Sequence, residues 1–297
     1  MILVTGTSGA LGGLIHRRLV QDGAQVLAGT RSPGPGERRI DFDDPATLRT
    51  GFAGVDVLVL VSAGYAEDDV VIARHGAAID AAVAAGVRHV IYTSLAGSGD
   101  QLTIALPHRW TERALAASPL DWTVLRNGLY VQVPAGLGLA NSPQTAATGV
   151  FRAPWGVGSV PVVAREDLAE AAARVALEAD GGRGTHAARV YELEGAVPVG
   201  GSEIAAALTE ALGRPVRYQN APLGESWERL AGAGMAAYQV AHAVSIFSAV
   251  NAGAMAVAGH SDLPALLGGQ VRDVRELLGA VVRELVAAAP TPESRTE

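Results

Sequence analysis

The spacing of three glycines near the start constrains this chain more than any other feature. Gly6, Gly9 and Gly12 stand in "ILVTGTSGALGGLIHRRL", each separated from the next by two residues. The apolar run "MILVT" predicts a buried strand, and the periodicity of "ALGGLIHRRLVQDG" predicts a helix stopped by Gly23. Glycine at such a strand-to-helix turn permits positive φ and lets backbone N–H groups approach an anion with no Cβ in the way. The helix N-terminus adds partial positive charge suited to a phosphate. Pattern and place together predict a dinucleotide-binding turn in which Gly6, Thr7, Ser8, Gly9, Leu11 and Gly12 surround a pyrophosphate. A tight turn without a ligand is the reading that glycines alone leave open.

The chain then alternates strands and helices. "VDVLVLVSA" and "VRHVIYTSL" are continuous apolar strands, as expected of a parallel sheet covered on both faces. "DPATLRTGFAG" opens with an acidic N-cap and Pro45 in its first turn, and "DDVVIARHGAAIDAAVAAG" and "LPHRWTERALAAS" read as further helices. This alternation predicts an α/β fold: a Rossmann-type doubly wound parallel sheet with a smaller C-terminal α/β lobe. Residues 1–130 form the expected nucleotide-binding core, with a strand and helix near 159–178 returning to it. Residues 131–288 mix a substrate-binding lobe with core elements, "VQVPAGLGLANSPQTAATGVFRAPWGVGS" reading as an aperiodic substrate loop, and 289–297 form a polar tail expected to be disordered.

In such sheets ligands lie beyond the carboxyl ends of the strands. The second strand ends at Thr30-Arg31, and arginine there suits the 2′-phosphate of NADP where an acidic residue would suit the ribose hydroxyl of NAD. Arg38 and Arg39 are placed to add charge, unless these arginines are simply solvated. Asp41 and Phe42, in "DFDDP", are placed to meet the adenine amino group and ring; Asp44 caps the next helix. Ser62, Ala63 and Gly64 end the fourth strand with small residues where a cofactor would pass. Thr93 and Ser94 end the fifth, beside the expected nicotinamide, while Tyr92 reads as core.

Composition excludes several chemistries. There is no cysteine, and all 23 basic residues are arginine, so thiolate catalysis and a lysine Schiff base are both absent. A net charge of −7 without a basic cluster argues against nucleic-acid binding. No metal-ligand pattern is present. "MILVTG" lacks a charged leader region, and the uncharged stretch between Arg229 and Asp262 carries too many polar residues for a membrane span, so a cytoplasmic protein is expected. That stretch is compatible with a buried lobe or a homodimer contact.

The glycine turn, "TRSP", "DFDDP", "VRHVIYTSL", "HRWTERALAASPLDWTVLRNGLY", "REDLAEAAARV" and "DLPALLGGQ" follow one another in order. Together they resemble the NmrA-like branch of the atypical short-chain dehydrogenases/reductases, especially its type-2 NADPH:quinone oxidoreductases and triphenylmethane reductases. The resemblance implies NADP(H) as cofactor and hydride transfer to quinones, dyes or similar flat acceptors. It also admits a tailoring reductase of aromatic metabolism, or a non-catalytic NADP-binding redox sensor.

Extended reductases of this kind commonly carry Tyr-x-x-x-Lys-x-x-x-Glu on the helix after the fifth strand. Counting back from Glu112 in steps of four gives His108 and Ile104, on one helix face but without the pair. The missing tyrosine argues against alcohol dehydrogenation by that route. Quinone reduction demands less, because its anionic product is delocalised and water can protonate it. His108, Asn127 and Tyr130 are therefore the candidate catalytic residues, and Tyr130, Phe151 and Trp155 a candidate aromatic wall for a flat substrate. Packing is the competing role for each. Asp167, at a helix start, reads as structural.

Overall fold

The computed structural model describes residues 1–63, 66–139, 142–182, 184–255 and 260–288. The first half runs β1 (Ile2–Thr5), α1 (Ala10–Gln21), β2 (Val26–Thr30), β3 (Arg38–Arg39), α2 (Pro45–Gly51), β4 (Val57–Leu60), α3 (Asp68–Ala85), β5 (His89–Leu95), α4 (Ala105–Ala116) and β6 (Asp121–Asn127). The second half runs β7 (Leu129–Tyr130), α5 (Gln132–Leu139), α6 (Ser142–Thr148), β8 (Val150–Ala153), β9 (Ser159–Val163), α7 (Arg165–Gly181), β10 (Arg189–Leu193) and β11 (Val197–Gly200). It ends with α8 (Gly201–Leu212), β12 (Arg217–Asn220), α9 (Leu223–Gly232), α10 (Ala237–Asn251), α11 (Leu263–Leu266) and α12 (Val274–Ala288).

The main sheet has seven strands in the order β10-β6-β5-β4-β1-β2-β3. Every pairing in it is parallel. Its central strands are buried on both faces, which is why they read as unbroken apolar runs. On one face Leu11, Ile15 and Leu19 of α1 pack with the alanine-rich side of α7. On the other, Leu48 and Phe52 join Ala78 and Ile79 of α3 and Leu115 of α4. Asp44 caps α2 by accepting from the Ala46 amide, with Pro45 in the first turn.

The lobe has its own core and two small sheets, β11-β9-β7 and β12-β8. Two expectations change here. The strand that returns to the main sheet is β10, beside β6, whereas the strand at 159–163 joins the lobe; only the helix that follows it, α7, packs back against α1. The segment read as an aperiodic loop is two helices and a strand. In β8, "VFRA" alternates half-buried and buried positions, a two-residue period that its glycine and proline neighbours obscured. The uncharged stretch after Arg229 forms α10, whose Val240, Ile246, Phe247 and Val250 are buried within the molecule. The apolar surface invoked for a dimer is thus largely used inside the lobe. Asp167 is structural: wholly buried, it accepts from the Arg272 amide and guanidinium. The tail at 289–297 lies outside the described residues. Among the described residues, no helix is long and apolar enough to cross a membrane.

Candidate functional site

Parallel pairing brings the carboxyl ends of β1, β4, β5 and β6 side by side. Two cavities open along that edge. The first, of about 390 Å³, lies over the glycine turn and the ends of β2 and β3. The second, of about 360 Å³, lies over β5, β6 and the start of the lobe. Leu11, Val61 and Ser62 line both, so the cavities form one continuous groove.

The first cavity is built to take an anion through backbone. Gly6 has φ +64, and a Cβ on Gly12 would strike the Gly6 carbonyl, so neither position accommodates a side chain without displacement. Helix α1 starts with no side-chain cap and no acid in its first turn, leaving its positive end to a ligand. Gly6, Ser8, Gly9, Leu11, Gly12, Arg31, Asp41, Phe42, Ser62 and Ala63 all line this cavity. Thr7 does not. Its amide and hydroxyl both donate to the Gly29 carbonyl and tie the turn to β2. Gly64 lies outside the described residues.

Arg38 and Arg39 are engaged elsewhere. Arg38 donates to the Gly51 and Ala53 carbonyls at 2.6 Å, and Arg39 lies 3.8 Å from Asp41 and 3.7 Å from Asp44. A different arginine enters instead. Arg74, from α3, holds Asp43 with both Nε and Nη2 and donates to the Ala63 carbonyl at 3.1 Å. The shape, the free helix end and the guanidinium groups fit a phosphorylated dinucleotide.

The second cavity is mostly apolar, with Leu95, Ile104, Pro107, Leu129, Val133 and Ile246 among its walls. Thr93, Ser94, His108, Asn127 and Tyr130 all face it. Ile104 and His108 meet there because they lie one turn apart on the same side of α4 and its N-cap. Glu112, one turn further, points into a partly buried ionic network. It accepts from Ser94 Oγ at 2.6 Å, from Arg109 at 2.7 Å, and from Arg126 at 3.0 and 2.7 Å. Burial works to raise the Glu112 pKa, but the Arg126 and Ser94 hydrogen bonds with Arg109 outweigh it and hold the carboxyl below its ordinary value. The Ser94 proton is committed to this network, while Thr93 Oγ1 accepts from the Ser62 amide at 3.0 Å.

His108 is half-buried, with Nδ1 2.7 Å from the Tyr92 hydroxyl. Burial, aided by Arg109 and opposed by Glu112, lowers its pKa to about 4, so the ring is neutral near pH 7. Behind it His75 is buried and neutral, with a pKa lowered to about 3 by burial, His108 and Arg74. His75 Nε2 accepts from the Ala63 amide at 2.9 Å, and Nδ1 therefore donates to Thr111 Oγ1 at 2.7 Å. This buried histidine fixes the end of the β4 loop against α4. The Arg165 guanidinium lies 4.8 Å from the Tyr130 ring centroid. Asn127 Oδ1 is buried without a hydrogen bond, beside the cavity it helps to line.

Phe151 and Trp155 are not part of the cavity. Both are 0 % exposed in the lobe core, where Trp155 packs edge-on against Phe247 at 5.7 Å. Their aromatic faces are covered by protein, so of the expected wall only Tyr130 faces the cavity. His242, on α10, was not anticipated: it closes the cavity from the lobe and bonds Thr103 Oγ1 at 2.6 Å. Neither it nor Arg74 sits in a local motif; each reaches the groove through the packing of remote elements. Among the described residues no group of three His, Asp or Glu gathers as a metal site would require.

The NmrA-like family model matches residues 1–277. The chain belongs to that family. It is 35% identical over 232 residues to quinone oxidoreductase 2 of Escherichia coli, covering 74% of this chain and 77% of that protein. It is 28% identical over 248 residues to the NAD(P)H azoreductase of Xenophilus azovorans, covering 79% and 82%. The structure of Citrobacter sp. triphenylmethane reductase complexed with NADP(H) superposes with a TM-score of 0.82 at 29% identity, covering 95% of this chain and all of that one.

Proposed function

We propose that this NmrA-like protein is an NADPH-dependent oxidoreductase that transfers hydride to a quinone or a similar flat conjugated acceptor. The observation that carries the reading is the continuity of the groove. An anion-binding glycine turn runs, through Leu11, Val61 and Ser62, into an apolar cavity with a neutral histidine in its wall. The relatives, named for quinone, azo-dye and triphenylmethane reduction, support the same chemistry.

NADPH, when bound, supplies the hydride. Gly6, Ser8, Gly9 and Gly12 with the start of α1 hold its pyrophosphate, Arg31 its 2′-phosphate, and Asp41 and Phe42 the adenine. Ser62 and Ala63 line the passage, and Thr93 and Ser94 border the nicotinamide end. The acceptor lies in the apolar cavity against Tyr130, with His108 and Asn127 turned toward its oxygens. Hydride addition to a quinone leaves a hydroquinone anion. His108, as a neutral hydrogen-bond donor, stabilises that charge as it develops, and solvent supplies the proton. No proton-donating tyrosine at position 104 is needed. The same reading places the protein in the cytoplasm.

The test is purified protein with NADPH and a panel of quinones and cationic dyes, followed by cofactor absorbance. Acceptor-dependent oxidation above the protein-free rate supports the proposal. Tight NADPH binding with a flat trace across the panel would make the chain a redox sensor instead.

A further inference from the structure

We infer that Tyr92 is a positioning residue: its hydroxyl fixes His108 in the tautomer that presents Nε2–H to the acceptor cavity. The inference rests on the oxidoreductase reading above. Tyr92 is wholly buried in β5 with its hydroxyl 2.7 Å from His108 Nδ1. A phenol is a better donor than a neutral imidazole N–H, and the imine nitrogen is the better acceptor, so the phenol donates. The Thr111 and Ser62 hydroxyls also border the phenol oxygen, but Thr111 Oγ1 already donates to the Pro107 carbonyl and accepts from His75 Nδ1, and it is His108 Nδ1, at 2.7 Å, that faces the phenolic proton. A neutral imidazole whose Nδ1 accepts must carry its single proton on Nε2.

The rest of the geometry leaves that proton for the acceptor. The His108 ring lines the second cavity, and Nε2 has no hydrogen-bond partner among the described residues. Tyr92 cannot swing away, because its ring packs edge-on against His75 at 5.4 Å inside the core. A rotated or alternately protonated His108 would turn a lone pair toward an oxygen gaining negative charge. With Tyr92 in place the ring offers an oriented donor, and nothing need reorganise as charge develops. The sequence lacks a tyrosine at the usual helix position; this one comes from the strand beneath and acts through the histidine rather than on the acceptor.

The decisive measurement is histidine ¹⁵N NMR of the wild-type protein saturated with NADP⁺, combined with NADPH oxidation by the quinone panel. The expected spectrum shows His108 Nδ1 unprotonated and Nε2 protonated. Tyr92→Phe, which keeps the packed ring, should mix the tautomers and lower kcat about tenfold at unchanged NADPH affinity, the scale of one hydrogen bond. His108→Gln, which offers an amide N–H without a tautomer to fix, should itself be slower than wild type and serves as the reference background. In that background Tyr92→Phe should cost less than about twofold. A protonated Nδ1 in the wild type overturns the inference whether or not any variant folds. So does a Tyr92→Phe protein with unchanged tautomer and kcat. The expected tautomer with no turnover on any acceptor instead overturns the oxidoreductase reading, and the role given to Tyr92 falls with it.

Discussion

The two ends of the groove are made differently. The nucleotide end is a backbone device: a turn that needs glycine at Gly6 and Gly12, a helix start without a competing cap, and Arg31 at the end of a strand. The acceptor end is a side-chain device, assembled from β5, α4, the turn after β6, and α10. Backbone devices depend on local sequence and so on few residues. Side-chain devices depend on which distant elements pack together. Substitutions at the first end should therefore act on cofactor binding, and those at the second on turnover or on nothing catalytic at all.

The largest effect expected at the nucleotide end is from Gly12→Val. The added side chain meets the Gly6 and Thr5 carbonyls, and backbone cannot give way cheaply. NADPH affinity, measured by fluorescence titration, should fall roughly 100-fold, the equivalent of about 3 kcal/mol. Arg31→Ala should weaken NADPH about 10- to 30-fold, on the scale of one charge-assisted hydrogen bond, and leave NADH almost unchanged. Equal losses for both cofactors would remove Arg31 from the 2′-phosphate and point to Arg74 as the selective arginine.

Phe151→Leu sharpens the contrast from the lobe. Phe151 is core, so the substitution should cost about 1–2 kcal/mol of stability, read as a lower Tm, with KM for the acceptor unchanged. A raised KM would return Phe151 to the acceptor site.

Stability also carries a pH dependence, set by buried histidines. His75, His89 and His108 are held neutral chiefly by burial, at about 3, 4 and 4, against 6.5 when unfolded. Below pH 6.5 the unfolded chain takes up protons that the folded chain refuses. Stability is therefore full above that pH and falls as the pH drops toward about 4, by roughly 1.4 kcal/mol per pH unit for each histidine. Urea unfolding across this range should show the slope, and His89→Gln, away from the groove, should reduce it without touching kcat.

This division also decided what could be read in the sequence. The glycine turn, Arg31 and the shared face of Ile104 and His108 are local patterns, and the structure sets them along one groove. Tyr92 was legible only as core, which it is; its hydroxyl reaches His108 because β5 lies under α4. Phe151 and Trp155 misled because glycine- and proline-rich flanks suggested a loop. The alternation in "VFRA", with Arg152 outward and Phe151 inward, carried the correct signal. Arg38 and Arg39 were near the nucleotide end in sequence, yet Arg38 is captured by the carbonyls that end α2. Arg74 and His242 come from elements whose packing no local pattern encodes.

The proposed function puts the bound nucleotide and its acceptor in one groove, beside His108. It is tested most directly by quinone-dependent NADPH oxidation in the wild type and in His108→Ala at saturating NADPH. The wild type should oxidise NADPH one-for-one with the quinone over many turnovers. In His108→Ala, kcat should be lower by about 100-fold, the scale of losing a donor to a developing oxyanion, with NADPH affinity unchanged. Wild-type protein that binds NADPH tightly yet oxidises none of it, or a His108→Ala protein that turns over at the wild-type rate, would contradict it.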